Sequence, residues 1–130
     1  MTRQQEYLNR FKRDYLHIAY RSDWNKINVS KADSFRHNLV VSLVCLELLN
    51  NDIPFLTQPR FKNGYRPDCI GFYNGQLRIF EIRHSETAKM SDAKGVRIPE
   101  ELLDSIVYID VEDVLHSDYQ IDMLVLKGFV

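Results

Sequence analysis

The dipeptide Asn74-Gly75 constrains this chain more than any other feature of its sequence. Asn-Gly between two β-forming runs is the strongest short signal for a two-residue hairpin, because both turn positions need a positive φ that these residues tolerate. The flanking runs are Tyr65–Tyr73 and Gln76–His84. With Tyr73 opposite Gln76, stepping outward brings Asp68 opposite Glu81, and Arg66 opposite Arg83. Alternate residues of a strand share a face, so these four side chains lie on one side of the hairpin. Opposed Cβ atoms are roughly 4.5–5.5 Å apart, close enough for two carboxyls to grip one ion.

Like charges placed directly opposite one another destabilise a sheet. An Asp against a Glu therefore needs a compensating positive charge, and the residues offer two sources. One is a hard divalent cation such as Mg²⁺, which takes one or two carboxylates and leaves its other positions to water and phosphate. Arg83 then points into the same space and stabilises transition-state charge. The other is structural: Arg66 and Arg83 neutralise the acids through diagonal salt bridges at a solvated edge. The opposite face of the hairpin (Cys69, Phe80, Ile82) reads as core-bound, which sets the acids in a wall rather than on a loop.

Elements around the hairpin follow from periodicity. Thr2 to Tyr20 places Tyr7, Leu8, Phe11, Tyr15 and Leu16 at helical spacing, an aromatic stripe suited to a core or a dimer face. Arg21 to Val29 is a connector containing Trp24. A second helix, capped by Ser30 or Asp33, offers Phe35, Leu39, Val40, Leu43, Val44, Leu46 and Leu48 as its apolar face. Asn50, Asn51 and Asp52 stop it before Pro54. Phe55 to Lys62 reads as a strand interrupted by Pro59, hence at an edge or bent, and Asn63-Gly64 as a turn. Ser85 to Lys94 forms a short helix capped by Ser85, Ser105 to Val111 a buried strand, and Asp122 to Val130 a candidate last strand.

This order predicts an α/β domain with a central mixed sheet flanked by helices. At 130 residues the chain is one domain. Residues 1–29 form an N-terminal helical extension, 30–111 the core and 112–130 a C-terminal extension. Lys+Arg number 17 against 18 Asp+Glu, so any nucleic-acid face must come from local segregation of charge. The apolar stretch Leu39 to Leu49 is interrupted by Ser42 and Glu47 and is too short to cross a bilayer. Arg3, Glu6 and Arg10 leave no signal-peptide core, and Cys45 and Cys69 read as reduced core residues; both point to an intracellular, cytoplasmic protein without a membrane partner. Phosphate-cradling glycine loops, paired-cysteine zinc sites and nucleophile elbows are absent from the sequence.

The segment RPDCIGFYNGQLRIFEIRHSET, Arg66 to Thr87, resembles the PD-(D/E)xK nuclease superfamily, which includes restriction endonucleases and Holliday-junction resolvases. Pro67-Asp68 matches the PD, and Glu81-Ile82-Arg83 stands where (D/E)xK is expected. Asn63-Gly64, Arg66, Asp68 and His84-Ser85-Glu86-Thr87 further resemble a group of small archaeal and phage-type proteins. The likeness covers roughly Ser34 to Val111 and implies a restriction-endonuclease-like core. It implies Asp68, Glu81 and the backbone carbonyl of Ile82 as ligands of Mg²⁺ or Mn²⁺, and hydrolysis of DNA phosphodiesters. Arg83 fills the lysine position, where it keeps the charge but cannot act as a general base. Lys62, Lys89 and Lys94 are the candidate replacements.

The superfamily often adds an acid from the first core helix; this chain carries His37 there instead, a candidate ligand or proton carrier and equally a candidate surface or capping histidine. Arg60, Lys62, Arg66 and Lys89 are the candidate phosphate contacts. An enzyme this small that cuts both strands is expected to be a homodimer, with the Tyr7/Phe11/Tyr15 stripe as its face. The alternative is a catalytically silent protein of the same fold that binds nucleic acid or a protein.

Overall fold

The computed structural model describes residues 2–17, 25–29, 31–83, 98–116 and 129. The expected helix Ser85–Lys94, the strand Asp122–Val130, Trp24, His84, Lys89 and Lys94 lie outside them.

Helix α1 (Arg3–Tyr15) starts at a reciprocal cap: Thr2 Oγ1 accepts from the Gln5 amide at 3.1 Å, and Gln5 Oε1 accepts from the Thr2 amide at 3.0 Å. Lys62 Nζ donates to the Arg13 carbonyl at its other end, where orphan carbonyls favour a cation. Helix α2 (Phe35–Asn50) is capped by Ser34, whose hydroxyl accepts from the His37 amide at 3.1 Å. The cap is thus neither Ser30 nor Asp33, and its placement fixes the first turn that carries His37.

Four strands follow: β1 (Phe55–Thr57), β2 (Cys69–Tyr73), β3 (Gln76–Arg83) and β4 (Ile106–Asp110). They lie side by side in chain order, with β1–β2 and β2–β3 antiparallel and β3–β4 parallel, so the sheet is mixed as expected. Tyr73 pairs with Gln76 and Cys69 with Phe80, the register that the Asn-Gly turn imposes. Asn74 and Gly75 have φ of 52° and 72°, the left-handed conformation that such a turn requires.

β1 is shorter than the expected Phe55–Lys62 strand because Gln58 turns the chain out of the ladder with φ 47°, ahead of Pro59. Phe61 returns only as an isolated bridge to Leu16. A 3₁₀ helix (Glu100–Ser105) leads into β4, and helix α3 (Val111–His116) leaves it; neither was legible in the sequence. β4 is also less enclosed than its apolar run suggests: Ile109 is buried but Tyr108 is exposed.

Helices cover both faces of the sheet, giving three layers. Leu8, Phe11 and Leu16 pack with Ile70, Phe72, Leu77 and Ile79 on one face. Val40, Val41, Val44, Cys45 and Leu48 pack with Cys69, Phe80 and Ile82 on the other. The aromatic stripe of α1 is therefore used within the chain and is not a free dimer face: Phe11 is buried, with its ring 5.2 Å from Phe72 and 5.0 Å from Tyr15. In α2 the buried face is rotated from expectation, since Phe35, Leu39 and Leu46 are exposed. Cys45 and Cys69 are free and buried, with sulfurs 3.7 Å apart. No helix of the described residues is long and apolar enough to cross a membrane.

Candidate functional site

Pro67 has no amide to donate, and regular β2 pairing ends at Cys69. At this break Asp68 turns its side chain into the ladder: Oδ2 accepts from the Ile82 amide at 2.8 Å, where a strand carbonyl would otherwise sit. The Asp68 amide in turn lies 3.3 Å from Glu81 Oε1. The regular register stops at Cys69 opposite Phe80, one residue short of the expected pair, yet Asp68 and Glu81 remain neighbours through these two side-chain-to-backbone hydrogen bonds.

Around this pair the described residues form a closed set of contacts. Tyr65 donates its hydroxyl to Glu81 Oε1 at 3.0 Å, so both donors converge on one oxygen of that carboxyl. His37, from the first turn of α2, places Nε2 3.2 Å from Asp68 Oδ1, and both side chains are only 13% and 16% exposed. His37 Nδ1 is buried without a hydrogen-bond partner among the described residues, and Asp33 Oδ2 stands 3.7 Å from it.

Gln58 ties the loop together. Its amide donates to the Asp68 carbonyl at 2.9 Å, its Nε2 reaches Asp33 Oδ2 at 3.5 Å, and both of its oxygens accept from Arg66 at 3.3 Å. A buried glutamine at positive φ is backbone strain that persists where surrounding contacts over-determine it, and such sites cluster at functional centres.

The two arginines are drawn apart. Arg66 is held by Gln58 on the β1 side, while Arg83 lies over the Tyr108 ring on the β4 side, 4.1 Å from its centroid. Among the described residues neither forms an ion pair with Asp68 or Glu81, which overturns the structural reading in which guanidinium groups neutralise both acids. It also corrects the expectation that Arg83 points between them. Of the phosphate-contact candidates, Arg60 and Arg66 are exposed, Lys62 is engaged on the end of α1, and Lys89 lies outside the described residues.

Electrostatics follow from this shortage of positive charge. Burial, with the Asp68 charge adding to it, pushes the Glu81 carboxyl up to about 8. The hydrogen bond to Asp68 raises His37 above the ordinary imidazole value despite its burial. Burial also raises the Tyr65 hydroxyl, so it remains a donor to Glu81. Without another cation, a proton on Glu81 reduces the negative charge gathered at the site.

Carboxyl oxygens and a main-chain carbonyl are the donors a hard divalent cation takes. In an extended strand a residue's amide and carbonyl leave on the same side, so the Ile82 carbonyl faces the Asp68 side along with its amide. Among the described residues no three His, Cys, Asp or Glu side chains are gathered as a ready-made ligand set. A cation here would rest on Asp68, Glu81 and this backbone oxygen, with water or substrate completing the shell. Gln58 and Tyr65 were missed as site residues because the loop between β1 and β2 carries no periodic signal, and Asp33 because it was read only as a helix cap.

No family model, curated protein or solved structure matches this chain.

Proposed function

We propose that the chain is a metal-dependent nuclease with a restriction-endonuclease-like core that hydrolyses DNA phosphodiester bonds. The observation that carries this reading is the meeting of Asp68 and Glu81 across adjacent strands while both nearby arginines are drawn away. Asp68, Glu81 and the Ile82 carbonyl would hold one Mg²⁺ or Mn²⁺. Such a cation polarises a phosphate and lowers the pKa of an attacking water. The Ile82 amide fixes Asp68 and the Tyr65 hydroxyl fixes Glu81, so the acids are oriented before anything binds. His37 is placed to carry a proton beside Asp68. Arg60 is exposed and available to phosphate, and Arg66 is exposed while its guanidinium is held by Gln58.

One observation favours a second reading, a silent member of the same fold that binds nucleic acid or a protein. Arg83, in the lysine position, stacks on Tyr108 instead of facing the acids. The two readings separate when the full chain is incubated with supercoiled plasmid and a four-way junction in Mg²⁺ or Mn²⁺. Cleavage that is lost in Asp68→Ala and Glu81→Ala supports the nuclease. A mobility shift without cleavage supports the silent binder.

A further inference from the structure

Helix α2 is apolar on two opposite sides, and the sheet uses only one. Val40, Val41, Val44, Cys45 and Leu48 are fully buried beneath it. On the other side Phe35, Leu39, Leu46 and Leu49 are 79%, 37%, 49% and 48% exposed. With Ser42 between them, successive steps along this outer stripe are four, three, four and three residues. That is the a/d spacing of a two-helix seam, in which each apolar residue seats among residues of the facing helix.

We propose that this stripe is the interface of a homodimer, in which α2 packs antiparallel on α2 of a second copy across a two-fold axis at Ser42. Self-complementarity identifies the occupant. Phe35 and Leu49 lie seven residues either side of Ser42, and Leu39 and Leu46 three and four, so an antiparallel pair sets Phe35 of one copy beside Leu49 of the other and Leu39 within one residue's rise of Leu46. An isologous contact requires this property of a single patch. The small Ser42 at the crossing lets the two backbones approach. Charge agrees. Arg36 and Glu47 share a flank of the helix, and the antiparallel arrangement brings Arg36 of each copy toward Glu47 of the other. Arg36 also holds Glu112 of its own chain at 3.1 Å. His37 projects from the sheet-facing side, which places the two Asp68 sites toward opposite ends of the seam.

A seam of one sixteen-residue helix is about 24 Å long. That sits at the low end of specific interfaces, below about 1,200 Å², so dissociation in the micromolar range is expected. The dimer holds whatever reaction the chain performs.

Sedimentation of the full chain from low to high micromolar concentration tests it. The expected result is a monomer that becomes a dimer. Leu46→Glu should hold the chain monomeric throughout while its far-UV dichroism and melting curve stay those of a folded protein, because Leu46 is exposed. Mild oxidation with diamide should cross-link Ser42→Cys as a homodimer and leave Phe35→Cys uncross-linked, since two Phe35 positions lie about 21 Å apart along an antiparallel pair. The native thiols are buried. A monomer at every concentration, a dimer that survives Leu46→Glu, or cross-linking through Phe35→Cys in place of Ser42→Cys overturns the proposal.

Discussion

Asp68 Oδ2 accepts the amide hydrogen of Ile82 at 2.8 Å, so a side-chain carboxyl stands in for the strand carbonyl that Pro67 fails to place. One acid thereby completes the ladder of β3 and faces Glu81. Its loss has two separable consequences, one for folding and one for charge.

Asp68→Ala leaves the buried Ile82 amide without its acceptor, which costs about 1–3 kcal/mol. Asp68→Asn keeps an acceptor oxygen and should lose less than half of that while removing the charge. Urea unfolding of the metal-free variants measures the difference. Equal losses would mean that the hydrogen bond contributes little.

Stability of the metal-free protein should fall as pH rises from about 4.5 to about 8. Glu81 ionises near 4.5 in the unfolded chain but near 8 when folded, so between these values the unfolded chain binds fewer protons and higher pH favours it. His37 acts in the same direction: its raised folded value means that its stabilising charge is present at low pH and is lost as pH climbs through that value. Melting curves between pH 4.5 and 8.5 test this, and Glu81→Gln should remove most of the slope. A midpoint that rises with pH would contradict the assignment.

Tyr65→Phe keeps the ring and removes the donor to Glu81. That hydrogen bond favours the ionised carboxyl, so its loss raises Glu81 further and weakens cation binding most at neutral pH. Calorimetric titration with Mn²⁺ at pH 7 and pH 9 should give a larger loss of affinity at pH 7. An equal loss at both would assign Tyr65 a purely steric role.

Gly71 lies where β2 meets α2. A Cβ there would come within 3.1 Å of Phe129 Cζ and 3.2 Å of Leu48 Cδ2. Gly71→Val should therefore cost about 1–3 kcal/mol in spite of valine's preference for strands, with Gly71→Ala costing less. Thermal denaturation decides it, and a stabilised Val variant would contradict the packing described.

The hairpin was legible because turn chemistry and a period of two fix register without any tertiary information: Asn74-Gly75 alone placed Asp68 by Glu81. His37 was reached differently, through the resemblance, which expects a side chain from the first core helix at this place. What surrounds the acids was not legible. Gln58 and Tyr65 arrive through a loop shaped by a positive φ at Gln58, which no periodicity announces, and Asp33 comes in from the turn ahead of α2. The buried side of α2 was misread because the helix is apolar on both sides, so hydrophobicity alone cannot choose the face that meets the sheet. The aromatic stripe of α1 found its partner in Phe72 of the same chain, a choice set by three-dimensional proximity.

Calorimetric titration of the wild-type chain with Mn²⁺ at pH 8, alongside Asp68→Ala and Glu81→Ala, is the most direct measurement of whether this acid pair is a cation site. One ion per chain in the wild type, with binding abolished in both variants and protons released from Glu81 on binding, is the predicted result. Absence of saturable binding by the wild type, or binding unchanged in the two variants, would contradict the account.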